Sequence, residues 1–124
     1  MKREVSKSLR IWFFIHFLVD YIFGLPLIIA PVWFLNLLGW QVIDPFASRL
    51  AGAALLGIGG VSLLERNNNL EVYKSLLNLK IIWSSAALIG IFISMIQEGI
   101  IFGWVVFVMF FVFWLIWVYY KIKL

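Results

Sequence analysis

From residue 100 to residue 120 the chain carries no charged side chain, and stretches 9–30, 45–64 and 72–96 carry one or two each. A helix rises 1.5 Å per residue, so about 20 residues cross the ~30 Å of bilayer hydrocarbon. Each stretch is long enough. In hydrocarbon every backbone N–H and C=O must be satisfied internally, which leaves a helix as the form such runs take. The expectation is an all-α protein: a four-transmembrane-helix bundle in one integral membrane domain, residues 1–124. Composition supports it, since 65% of residues are hydrophobic and 13% charged, with a mean hydropathy of +1.05. A water-soluble domain of 124 residues has too much surface for its volume to hide that much apolar area.

Charge then orients the chain. With the N-terminus in the cytoplasm, all of the 10 Lys and Arg residues except Arg49 fall on the cytoplasmic side. This positive-inside bias predicts a multi-pass protein of the cell membrane with both termini cytoplasmic. The net charge of +4 therefore reads as topology, with a lipid bilayer as partner and no nucleic acid. Lys2, Arg3, Lys7 and Arg10 before an apolar run resemble a signal peptide. The run is too long, and no small-x-small cleavage site lies near its end, so a retained first span is expected.

Prolines and glycines divide the chain further. Pro26 lies inside the first span, where it removes one backbone hydrogen bond and is expected to kink the last turns. Pro31 opens and Gly39 closes a short segment flanked by Trp33 and Trp40. Pro first and Gly just past the end is the helical asymmetry, and indoles favour the interface, so a short interfacial helix between spans one and two is expected. A first helix running unbroken to Leu38 is the alternative. Asp44 reads as the N-cap of span two, with Pro45 at its first position. Asn68 or Asn69 can cap span three, with Glu71 in the first turn. Tyr73, Lys74, Asn78 and Lys80 are placed in the headgroup region, Lys80 snorkelling outward. Gln97-Glu98-Gly99 reads as a tight turn, and Trp117, Tyr119, Tyr120, Lys121 and Lys123 as an interfacial belt with a cationic anchor.

Span two holds the small residues. Ser48, Gly52, Gly59 and Ser62 fall on one helical face, and Ala53, Gly57 and Gly60 on another. Small faces let membrane helices approach and recover dispersion energy that lipid would otherwise match, so both sets are expected to pack helices.

Polar groups inside hydrocarbon are the default functional candidates, because burying them is costly. Asp20 stands near the middle of span one, with His16 one turn earlier on the same face. The pair can share or exchange a proton, or line a path for a small solute; the structural alternative is a helix–helix hydrogen bond from Asp20 to Ser84, Ser85 or a hydroxyl of the Tyr21 type on a neighbour. Arg49 lies one turn inside the opposite edge. It can pair with Asp44, satisfy carbonyls at the Pro26–Pro31 break, approach Asp20 if span one bends inward, or bind an anionic headgroup or substrate.

No catalytic constellation is visible. The chain has one histidine, dispersed carboxylates and no cysteine, too few donors for a zinc site, an iron–sulfur cluster or a thiol nucleophile, and paired haem ligation would need two chains each giving a histidine. No metal or cofactor is expected. The motifs Gly24-x-Pro26, Pro31-x-Trp33-Phe34-Leu35-x-Leu37-Leu38-Gly39 and Asp44-Pro45-x-x-x-Arg49-Leu50-x-Gly52-Ala53-x-Leu55-Leu56 resemble the small four-helix DoxX-like membrane proteins over roughly residues 9–66. The resemblance implies quinone-linked oxidation or accessory roles in membrane redox complexes, and carries over Arg49 and Gly52 alone. The small multidrug exporters also have an acid in their first span. Here it is Asp20 rather than a glutamate, and the charge bias argues against the dual topology some of them need.

The leading functional expectation is a non-enzymatic membrane protein that self-associates or serves as an accessory subunit. The alternatives are a proton-coupled carrier or channel using Asp20 and His16, and a lipid- or quinone-binding protein.

Overall fold

A computed structural model describes residues 4–124, the side chain of Glu98 excepted. Lys2 and Arg3, read above as part of the basic start, lie outside the described residues. The chain is all-α, with helices α1 (Lys7–Ile29), α2 (Pro31–Leu37), α3 (Pro45–Leu64), α4 (Leu70–Glu98) and α5 (Ile101–Lys123). Four of them, all but α2, are long and apolar enough to cross a membrane. Their outward surfaces are apolar too: Ile22, Ile82 and Val108 are exposed, as a lipid-facing wall requires. This is a small integral membrane protein.

The helix ends follow from local chemistry. Ser6 caps α1 by accepting from the Leu9 N–H at 3.3 Å. Helix α1 runs through Pro26 and stops at Ile29, with Pro31, which has no N–H to donate, starting α2 one residue later. The unbroken helix to Leu38 is thereby excluded. At the far end of α2 the Gly39 N–H bonds Asn36 C=O at 3.1 Å and the Trp40 N–H bonds Leu35 C=O at 2.9 Å. That pair of bonds is a Schellman closure, and it needs the positive φ of 106° that Gly39 adopts. Asp44 caps α3 as expected, its carboxylate accepting from Phe46 N–H at 3.0 Å and Ala47 N–H at 3.3 Å. Asn68 accepts from the Asn69 N–H at 2.8 Å just ahead of α4. Gly99, at φ 70°, makes the turn into α5.

The chain divides into two compact units, Met1–Leu70 and Glu71–Leu124. In the first, α1 packs along α3. Gly24 and Gly52 meet at this seam: a Cβ on Gly52 would stand 2.9 Å from the Gly24 carbonyl oxygen and 3.0 Å from Leu27 Cβ. Seven residues on, a Cβ on Gly59 would stand 2.7 Å from Asp20 Cβ. Tyr21 crosses the same seam, its hydroxyl donating to the Leu56 carbonyl at 3.1 Å; it would meet a Cβ on Gly60 at 2.9 Å. Gly57 lies outside this seam: among the described residues nothing comes within 4 Å of a Cβ built there. Gly57 points away from α1 because it stands two positions before Gly59, a turn of about 200° around the helix. Ser48 and Ser62 spend their hydroxyls on their own helix, donating to Asp44 C=O at 2.7 Å and Ile58 C=O at 2.9 Å. Arg10 ties the basic end of this unit, donating to Arg66 C=O at 2.6 Å and Asn68 C=O at 3.1 Å.

In the second unit α4 and α5 join through aromatic rings. Phe92, Trp104 and Phe107 form one cluster, with centroids 5.7 to 6.4 Å apart. Trp83 meets Phe110 edge-on at 6.0 Å, and Trp114 Nε1 donates to Ser85 Oγ at 2.9 Å.

Candidate functional site

The sequence candidates divide between two places in the first unit. His16 and Asp20 are separated by four residues on α1, so they share a face, and that face is the inner one: each is only 4% exposed. Imidazole Nε2 lies 3.3 Å from Asp20 Oδ1. Gly59 lets the Asp20 backbone come in this far, since any larger residue on α3 would overlap its Cβ. The result is a paired, sealed acid and base near the middle of a membrane-length helix. Such a pair can hold a proton between nitrogen and oxygen, and its mutual contact offsets part of the cost of burying either group.

Arg49 goes elsewhere. Its Nε donates to the Ile28 carbonyl at 3.0 Å. In an unbroken helix that carbonyl would accept from residue 32, but α1 ends at Ile29, and the guanidinium supplies the missing donor. Of the roles open to Arg49, this is the carbonyl at the Pro26–Pro31 break. The approach to Asp20 is excluded: Asp20 sits at Gly59, ten residues or about 15 Å along α3 from Arg49.

Ser84 and Ser85 are engaged within the second unit. Ser84 Oγ donates to Lys80 C=O at 2.6 Å, and Ser85 accepts from Trp114.

Lys80 overturns an expectation. It does not snorkel outward; it is 1% exposed, with Nζ 4.7 Å from the Trp117 ring centroid. Tyr73, Leu77, Lys80 and Ser84 are all buried and follow the spacing i, i+4, i+7, i+11, which is one stripe of a helix. That spacing was the available signal, and residue type outweighed it. The ring face of Trp117 offsets part of the cost of burying the ammonium, as a cation–π partner. Lys80 should accordingly resist a water-soluble amine-acylating reagent that modifies Lys74 and Lys121, read by peptide mass spectrometry of protein in detergent. Equal labelling of all three would contradict its burial.

The sequence also gave no hint of the Arg66 guanidinium 5.0 Å over the Phe14 ring, or of the buried Trp83 Nε1, which has no acceptor among the described residues. Among the described residues no three His, Cys, Asp or Glu side chains gather where they could hold a metal ion. No family model, curated protein or solved structure matches the chain.

Proposed function

We propose that the protein acts by association within the membrane, as a self-associating bundle or as an accessory subunit of a membrane complex, with both termini cytoplasmic in the cell membrane. The observation that carries this reading is the outer face of α3. Ala53 and Gly57 are exposed, four positions apart, and among the described residues nothing lies within 4 Å of a Cβ built on Gly57. A small-xxx-small pair facing lipid allows a second helix to approach closely. The inner small residues of α3 already do this against α1, so the same helix carries one small face in use and one open. The DoxX-like outline of residues 9–66, with its implied accessory roles, supports the same reading.

The chain has no cysteine, which makes the test clean. Gly57→Cys is expected to crosslink in native membranes, to a second copy or to a partner of different mass. Ile22→Cys, on the exposed side of α1, is expected to stay uncrosslinked. Monomer alone from both variants would overturn the reading.

A second reading, a proton-coupled carrier, draws support from the 3.3 Å contact of His16 with Asp20. The sealing of that pair against Gly59 favours the structural role over it.

A further inference from the structure

We propose that Arg49 holds the phosphate of an anionic phospholipid at the end of the first unit where α1 breaks, α2 lies and α3 begins. A guanidinium has five N–H donors in a fixed planar fork and stays charged at any accessible pH. One donor of Arg49, on Nε, is fixed on the Ile28 carbonyl at 3.0 Å. Among the described residues the side chain makes no other hydrogen bond or ion pair, and Arg49 is exposed. The nearest acid in sequence, Asp44, spends its carboxylate on the N–H groups of Phe46 and Ala47. The Nε bond therefore anchors the fork while both Nη groups stay available, and two Nη donors match two phosphate oxygens.

The surroundings choose the source of the phosphate. At this end Trp33 is 64% exposed and Phe46 78% exposed, with Ile29 and Val32 also exposed. A free anion gains nothing from those side chains. A phospholipid lays acyl chains along them and presents its headgroup at the level where indole rings settle. The Ile28 carbonyl that anchors Arg49 is neutral and no carboxylate pairs with the guanidinium among the described residues, so its charge favours a lipid of net negative charge over a zwitterionic one.

The test uses the full-length protein, delipidated in detergent, titrated with phosphatidylglycerol or phosphatidylcholine and weighed intact by native mass spectrometry. Wild type is expected to retain one more phosphatidylglycerol than Arg49→Gln, with affinity for that molecule about fivefold weaker in the variant. Phosphatidylcholine should show no such difference, and inorganic phosphate should not displace the bound lipid. Arg49→Lys keeps the charge and loses the fork, so it is expected to fall between the two and serves should Arg49→Gln fold poorly. Equal phosphatidylglycerol retention in wild type and both variants would overturn the proposal. So would an equal loss of both lipids, which would mark an apolar seat only, or displacement by inorganic phosphate, which would mark a free-anion site.

Discussion

Gly52→Ala is expected to destabilise the first unit by about 1–3 kcal/mol, the usual cost of forcing a methyl into a closed contact. The added Cβ would stand 2.9 Å from both the Gly24 carbonyl oxygen and Ile28 Cγ1, and 3.0 Å from Leu27 Cβ. Two of these atoms belong to the backbone or its first side-chain carbon and cannot swing aside, so α1 and α3 must separate. Separation also withdraws neighbouring contacts, including the Tyr21 hydroxyl on Leu56 C=O. Gly57→Ala is the control. Open space surrounds that position, and alanine is the better helix former by up to about 1 kcal/mol, so its effect is expected to be neutral or stabilising. Reversible unfolding in bicelles, followed by circular dichroism or steric trapping, compares the two. Equal stability of both variants would show that the glycine-lined seam contributes no close packing.

Asp20→Ala is expected to cost about 3 kcal/mol or more, the usual loss when one member of a buried polar pair is removed, because Asp20 and His16 are each only 4% exposed. Glu71→Ala removes a carboxylate with an equally clear partner, Lys74 at 3.9 Å, yet the Glu71 side chain is 82% exposed. Solvent screens that pair, and the expected change is below about 1 kcal/mol. Unfolding midpoints of the two variants in the same detergent give the comparison, and similar losses would mean that burial of Asp20 does not govern its energetics. Asp20→Asn separates structure from transport, since it keeps the shape and removes the charge. In proteoliposomes under an imposed pH gradient, wild type and Asp20→Asn are expected to leak protons no faster than protein-free vesicles. A proton flux in wild type that Asp20→Asn abolishes would replace the association reading with the carrier one.

Both results turn on which face of a helix a residue occupies, and there the sequence was an uneven guide. Gly52 and Gly57 are the same residue in the same helix, five positions apart. Periodicity sorts them onto different faces, but does not say which face meets α1. Asp20 and His16 could be paired from their spacing alone, because four residues on one helix bring side chains together whatever the surroundings. Arg49 offered several partners and took the Ile28 carbonyl, a choice that depends on how closely Gly52 lets α3 approach the end of α1. Lys80 was misplaced because a lysine near the start of a long helix is more often at the surface. Its stripe of Tyr73, Leu77 and Ser84 indicated burial, and the aromatic ring that offsets part of the cost lies on another helix.

The amino-acid order by itself determined the helical class, the four membrane-length segments and the cap at Asp44, and it favoured the break at Ala30–Pro31 over an unbroken helix. Each of these rests on chemistry within a few residues: hydrogen bonds that hydrocarbon cannot supply, a proline without an N–H, a carboxylate beside free amides. Tertiary structure alone decided which glycines are closed and which are open, where the Arg49 guanidinium is anchored, and that Lys80 lies inside. Those outcomes depend on contacts between segments distant in the chain, which decide the face of each helix that is covered.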